Sequence, residues 1–424
     1  MSGAARRLRN IVGGSAGNLV EWYDWYAYTS LSLYFAASFF PKGNPTAQLL
    51  STAAIFAIGF LMRPIGAWWM GVYGDRHGRK AGLALSVGLM AGGSLLIAIS
   101  PTYAQAGMLA PALLLFARMM QGLSVGGEYG TSATYLSEVA SRKGRGFWSS
   151  FQYFTLIGGQ LLSLGVLLIL QAVLSETELN AWGWRIPFVI GSLLAVGVYL
   201  LRRRIDETAS FHAMAEDRPT STIARLWRGH RREFLIVAVI SAGGSLAFYS
   251  FTTYMQKFLV NTSGFSKQSA TQVMTVALVM FMLMQPLWGA ISDRVGRKPL
   301  LLLFSIGGAL AVVPIFSALA TVTSAAMALG LIMVLLTLLA AYTSIGAVIK
   351  AELFPAHIRT LGVALPYAVG NALFGGTAEY AALWFKNAGL EGGFYWYVSG
   401  MLMVATVGFA ILPETRITSL IEED

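Results

Sequence analysis

The sequence contains no cysteine. Disulfides and thiolate metal sites are therefore excluded, and redox chemistry says nothing of compartment. Charge is the second scarcity. Asp, Glu, Lys and Arg make up 12% of the 424 residues, against about 25% in an average soluble chain. Histidine is the third: His77, His212, His230 and His357 all fall in loops between apolar runs, so no intramembrane metal site is expected. No Walker loop, no H-E-x-x-H and no G-x-S-x-G occurs. Nucleotide hydrolysis, zinc-dependent proteolysis and esterase-type acyl transfer thus lack a carrier. No cofactor and no enzymatic activity are expected, which leaves an ion gradient as the energy source for any pumping. No cleavable leader is evident: residues 1–10 are basic, but the stretch after them reads as a first span containing Glu21 and Asp24.

What the chain has in excess is apolar sequence, 56% of all residues. Runs of about eighteen or more apolar residues recur along it, which is the membrane signal. Twelve candidate spans lie near 13–39, 52–73, 81–100, 108–137, 149–173, 184–202, 233–258, 270–291, 299–319, 323–349, 361–384 and 394–413. Each can cross a hydrocarbon core of about 30 Å at about 1.5 Å per residue. The expected fold class is an all-α polytopic membrane protein.

The net charge of +10 raises the question of nucleic acid. The basic residues sit in short loops between spans, however, so they report topology, and no nucleic-acid partner is expected. With the N-terminus inside, twenty-three of the thirty Lys and Arg fall on the inner side. Both termini are therefore expected in the cytoplasm.

One loop occurs twice. Gly71, Asp75, Arg76, Gly78 and Arg79 form the pattern G-x-x-x-D-R-x-G-R-K, and Gly289, Asp293, Arg294, Gly296 and Arg297 repeat it 218 positions later. Glu138 and Arg145 follow the first copy as Glu352 and Arg359 follow the second, each pair at an inner loop. Such stepwise recurrence marks an internal duplication. The expected organisation is a six-helix bundle over 1–202, a cytoplasmic linker over 203–232 with a short helix near 221–230, and a second six-helix bundle over 233–424. The two bundles flank a central path. Asp75 can accept bonds from backbone N–H groups at the start of a neighbouring cytoplasmic helix, and Arg79 can reach a carboxylate across the interface of the halves. The loop then acts as a gate latch; alternatively it only fixes topology.

The paired loops after spans two and eight, with Arg118-Met119-Met120-Gln121-Gly122 in span four, resemble the signatures of the major facilitator superfamily. Gly17–Asp24, Phe60–Gly66 and Ser124–Tyr129 are similar to elements of its metabolite:proton symporter family. Further stretches, including Ser149–Tyr153, Phe251–Lys257, Lys350-Ala351-Glu352 and Ala378-Glu379-Tyr380, resemble the members that carry C5 dicarboxylates. The resemblance implies a twelve-helix facilitator fold in the bacterial cytoplasmic membrane. It implies import of α-ketoglutarate or a similar dicarboxylate with protons, by a monomer in lipid. Other members carry citrate, shikimate or zwitterions such as betaine and proline, which is the main alternative.

Charge inside a bilayer costs about 2.5–3.5 kcal/mol per central residue on insertion scales, so each intramembrane ion is a functional candidate. Arg63 in span two could hold a substrate carboxylate in its planar fork, or pair with Glu21 or Asp24. Arg118 in span four could contact substrate or take part in coupling, since the resemblance implies a place in or beside the cavity, or hold structure. Glu21 and Asp24 share a helix face with Tyr28, and two close carboxylates can carry a proton. Glu128 could couple protons or pair with a neighbour. Span seven is too polar for lipid: Tyr249, Thr253 and Gln256 form one stripe, Tyr254 and Lys257 another. Its hydroxyls suit a keto oxygen. Lys257 could meet a second carboxylate or snorkel to headgroups. Tyr342, Tyr367, Asn371 and Glu379 are further polar groups within spans.

Two readings from other classes lack the parts they need. A membrane sensor would need an output domain, and neither the linker nor the residues after Pro413 supply one. A membrane-embedded enzyme would need a catalytic constellation.

Overall fold

The computed structural model describes residues 3–77, 79–126, 133–134, 136–137, 144–202, 223–356 and 358–421; the side chains of 3–18, 71–72, 74–84, 201–202 and 225 lie outside that description. Its long helices are α1 (Gly3–Phe39), α2 (Pro45–His77), α3 (Arg79–Ile99), α4 (Leu109–Val125), α5 (Phe151–Val173) and α6 (Ile186–Arg202). The second set comprises α7 (Ile223–Phe251, continued by Thr253–Asn261), α8 (Lys267–Val295), α9 (Lys298–Leu319) and α10 (Ala325–Thr343, continued by Gly346–Ala351). α11 comprises Arg359–Gly370, a π-turn Asn371–Gly375 and Ala378–Asn387, and α12 is Glu391–Ile411.

Eight helical segments among the described residues are long and apolar enough to cross a membrane, and α3 and α4 add shorter apolar segments. α1 and α11 fall short for different reasons. α1 carries Glu21 and Asp24 among tyrosines and tryptophans, and α11 is broken into three pieces. Both are nonetheless deeply buried by their neighbours. The short helix expected near 221–230 is present from Ile223, set off from the rest of α7 by a kink at His230.

The packing repeats with the sequence. α1 lies on α5, α2 on α4 and α3 on α6; six helices later, α7 lies on α11, α8 on α10 and α9 on α12. The two sets meet along α5 against α8 and α2 against α11. That second contact depends on glycine: a Cβ on Gly376 would stand 2.5 Å from Phe60 of α2.

Three helices of the second set are interrupted within their length. α7 breaks at Thr252, α10 at Ser344–Ile345, and α11 passes through its π-turn at Asn371. Breaks inside a bilayer are tolerated where backbone lines protein or a polar path, and π-turns concentrate at functional sites. All three sit beside candidate residues.

Candidate functional site

α4 approaches α2 closely enough that both contacts exclude a side chain. A Cβ on Gly122 would run into the Gly59 carbonyl, and one on Gly126 into the Arg63 carbonyl. Small residues permit this approach in lipid. It carries Arg63 of α2 and Arg118 of α4 to one aromatic wall. The Arg63 guanidinium lies 4.1 Å from the Trp25 ring centre and 4.0 Å from that of Phe60. The Arg118 guanidinium lies 4.0 Å from Trp25 and 4.4 Å from Tyr28. Both arginines are buried. On each, Nε and Nη2 meet no hydrogen-bond partner among the described residues. Desolvated cation–π contacts are worth about 2 kcal/mol or more, but the penalty for burying an ion is several kcal/mol. The wall is therefore only partly compensated and has room, electrostatically, for an anion.

The pairing of Arg63 with Glu21 or Asp24 does not form among the described residues. Asp24, fully buried, turns toward α3 and α4, where Ser94 Oγ and Gln121 Nε2 donate to its Oδ2, the latter at 2.9 Å. Arg118 Nη1 donates to the other end of Gln121, at 2.6 Å. Gln121 is thus a relay between Arg118 and Asp24. The charged group that Asp24 faces is Arg118, and not Glu21 as their spacing suggested. The reason is local: α3 and α4 offer hydrogen-bond donors to a carboxylate that has no water, and the carboxylate of Glu21 offers none. Glu21 is buried one turn away. Glu128 lies outside the described residues.

From the other half, Tyr249 packs edge-on against Phe60 of α2 with ring centres 5.1 Å apart. Its hydroxyl lies beside Tyr26, Arg63 and Asn371. Tyr367 lies beside Tyr153 and within electrostatic reach of Tyr249 and Arg63. Tyr249, Tyr367 and Asn371 are thereby brought together with Arg63. Thr253 is buried at the break in α7, next to Thr252.

Two members of the span-seven stripe stand elsewhere. Tyr254 packs on Phe394 of α12, ring centres 5.5 Å apart, inside its own half. Lys257 neither reaches the headgroups nor stands open to a ligand: its Nζ lies 2.6 Å from Oε1 of Glu379, and both side chains are buried. An ammonium without water takes the nearest carboxylate, here supplied by α11. The spacing alone also missed Lys350. Its position near an inner loop read as a topology charge, yet it is fully buried with its Nζ 4.2 Å from the Tyr367 ring centre.

At the end of the bundle where the C-terminal segment lies, the second signature loop joins the halves. Asp293 accepts from the backbone N–H groups of Gly146 and Phe147, at 2.8 and 2.9 Å. These open the short helix Arg145–Ser149, whose N-terminal dipole favours a carboxylate. Gly289 is required because its Cβ would stand 2.6 Å from the Gly146 carbonyl. Gly296 is required because it ends α8 at φ 107°. Arg297 bonds Asp293 at 2.8 Å and reaches Glu352 at 3.6 Å, and Arg145 reaches Glu352 from the first half at 3.9 Å. Burial pushes the Glu352 carboxyl above its usual range against the pull of Arg297, Thr415 and Arg145. The two backbone bonds to Asp293, at 2.8 and 2.9 Å, are shorter than either contact to Glu352. Arg359 bonds the Phe354 and Leu420 carbonyls and anchors the C-terminal segment. Arg294 is exposed and only its carbonyl is used, by Arg416. In the first copy, Gly78 and Glu138, and the side chains at Gly71, Asp75, Arg76 and Arg79, lie outside the described residues.

The opposite end is joined as well, through Gln256 of the span-seven stripe and through residues the sequence did not single out. Gln171 of α5 donates to Tyr34 of α1 at 2.7 Å and to Thr271 of α8 at 3.2 Å. Gln256 of α7 donates to the same Thr271 at 3.0 Å. Lys267 of α8 pairs with Glu176 of the first half at 2.8 Å.

The chain matches the family described as the Major Facilitator Superfamily over residues 16–378. It is 55% identical to the alpha-ketoglutarate permease of Escherichia coli (strain K12) over 404 residues, covering 95% of this chain and 93% of that one. It is 33% identical to the citrate-proton symporter of Klebsiella pneumoniae, over 87% of this chain and 83% of that one. Its fold is similar to that of the xylose transporter XylE from Escherichia coli in a partially occluded inward open conformation, with a TM-score of 0.75 at 19% identity, over 95% and 97% of the two chains.

Proposed function

Because the chain belongs to the major facilitator superfamily, we propose that it imports α-ketoglutarate, or a dicarboxylate like it, together with protons. It is a transporter and not an enzyme. Import runs by alternating access between the halves 1–202 and 233–424, in the bacterial cytoplasmic membrane. Both termini lie in the cytoplasm, in keeping with the bias of Lys and Arg to the inner loops. The protein works as a monomer in contact with lipid.

The observation that carries this reading is the shared wall of Arg63 and Arg118. Two buried guanidiniums over one indole, each with two unmatched nitrogens, are what a carboxylate would fill. Tyr249, Tyr367, Asn371 and Thr253 face the keto oxygen and the carbon chain. Asp24 takes the proton, and Gln121 relays its state to Arg118. Glu21 and Glu128 are the further proton candidates. The two signature loops, with Glu138, Arg145, Glu352 and Arg359, close the cytoplasmic end.

Charge sets a condition. A dianion entering a negative interior is opposed by about 2.3 kcal/mol per charge per 100 mV. Entry with more than two protons is driven by the potential; entry with fewer is driven by the proton and substrate gradients.

The test is uptake of labelled α-ketoglutarate into proteoliposomes under an inward proton gradient, with unlabelled competitors. Saturable uptake, suppressed by α-ketoglutarate and insensitive to betaine, is expected. Saturable transport of citrate or betaine with none of α-ketoglutarate would replace the substrate and keep the fold. Constant internal pH during uptake would remove the proton.

A further inference from the structure

Lys257 and Glu379 form a buried ion pair with one unmatched oxygen. Lys257 Nζ holds Oε1 of Glu379 at 2.6 Å, while Oε2 has no hydrogen-bond partner among the described residues. The pair lies at the meeting of the halves. Tyr28 of α1 feels the charge of Glu379, and the same Tyr28 ring is 4.4 Å from the Arg118 guanidinium. Arg118 and Glu379 thus both act electrostatically on Tyr28. One half supplies a cation with unmatched nitrogens, and the other supplies a cation already occupied.

We propose that Lys257 is the second carboxylate site, held shut by Glu379, and that proton uptake by Glu379 opens it. This rests on the dicarboxylate reading above. One substrate carboxylate binds at Arg63 and Arg118, and the other displaces Glu379 from Lys257. Glu379 cannot leave as an anion, because a carboxylate stripped of its partner inside a protein costs several kcal/mol. It leaves with one proton taken from the outer solution. Lys257 keeps its own proton throughout, and no covalent bond other than the new O–H of Glu379 is made. The exchange brings in one proton per substrate molecule and preserves the net charge at Lys257. Competition between a side chain and a ligand for one ammonium is sufficient as a coupling device.

The titratable groups facing Glu379 are Lys257 and Tyr254 on α7 and Tyr28 on α1. Tyr254 also faces Glu391 of α12. From α2, which packs on this part of α11, no ion pair reaches Glu379 among the described residues. The linkage is therefore assigned to the Lys257–Glu379 pair.

The experiment measures α-ketoglutarate binding to the purified full chain against pH, with proton uptake followed by an indicator dye in weak buffer. In the wild type, affinity is expected to fall by up to about tenfold per pH unit for each proton linked to binding. In Glu379→Gln, Lys257 is open at every pH. The slope should drop by one proton, and uptake per bound substrate should drop by about one proton. Glu379→Asp keeps a carboxyl and should keep the wild-type slope. An unchanged slope in Glu379→Gln overturns the proposal. So does loss of binding at every pH in a variant that melts like the wild type. Should Glu379→Gln fail to fold, the neutral pair Lys257→Met/Glu379→Gln decides: it should bind more weakly, because the Lys257 anchor is gone, and with one proton fewer, and an unchanged slope there overturns the proposal. Absence of α-ketoglutarate binding in the wild type would sink the dicarboxylate reading itself, a separate result.

Discussion

Arg63 and Arg118 share one indole. Their guanidiniums lie 4.1 and 4.0 Å from the Trp25 ring centre, though they come from different helices. The arrangement holds two like charges close with no carboxylate paired to either among the described residues. Aromatic faces stabilise each cation in place while leaving its hydrogen-bonding edge open, which an ion pair would not do. A site built this way is pre-set for an anion.

The first prediction concerns geometry against charge. Arg63→Lys keeps the charge and loses the planar fork. A hydrogen bond to a charged group is worth about 1.5–3 kcal/mol, so α-ketoglutarate binding should weaken by roughly 10- to 150-fold. Arg63→Ala should abolish measurable binding. Calorimetric titration of the purified protein checks both. Wild-type affinity in Arg63→Lys would mean that only the charge matters there.

The second concerns the relay. Gln121→Leu removes both the Arg118 bond and the Asp24 bond and keeps the side-chain volume. Substrate affinity should change less than about tenfold, since Arg118 keeps its aromatic contacts. The proton-to-substrate flux ratio in proteoliposomes should fall. Asp24→Asn should do the same. A full ratio in both variants would remove Asp24 from the coupling path.

Much of this is legible in the sequence, and the boundary is physical. Hydrophobic runs and loop charges carry the helices and the inner loops, because lipid imposes both locally. The glycines of the second signature loop are legible for the same reason: Gly296 needs its φ of 107° and Gly289 needs backbone contact, both features of a few residues. Partner choice is different. Glu379 meets Lys257 across 122 positions, and Gln171 meets Thr271 across 100. Helical period assigns a face to each residue and says nothing of which helix that face meets. Lys350 shows the opposite error. Its nearness to a loop read as topology, and only packing against Tyr367 shows it buried.

The third prediction concerns the cytoplasmic latch. Asp293→Asn leaves one carbonyl oxygen for two backbone N–H groups and weakens the bond to Arg297. Gly146→Ala puts a methyl against Ser292, Arg297 and Gly289. Both should favour the inward-open state and slow net uptake severalfold with little change in intrinsic substrate affinity. The absence of cysteine makes the measurement direct. A single cysteine introduced on the α5–α8 contact above the latch should label faster from the cytoplasmic side in either variant. Equal labelling would leave the loop as a topology signal only.

The fourth concerns the outer end, where magnitudes rank two contacts. The Lys267–Glu176 pair has Glu176 largely in solvent, with 66% of its side chain exposed. Exposed pairs contribute about 0–1 kcal/mol and are screened by salt. Gln171 instead joins Tyr34 and Thr271 from a partly buried position. Breaking it leaves buried hydroxyls with fewer partners, at about 1–3 kcal/mol for an unsatisfied group. Gln171→Leu should therefore shift the protein toward the outward-open state by roughly 5- to 150-fold, whereas Glu176→Gln should shift it by less than about fivefold. Labelling of a single cysteine at position 275, on the described outer half of α8, reads the shift from outside. If Glu176→Gln opened the outer end more than Gln171→Leu, the exposed pair would be the gate and the buried bridge only packing.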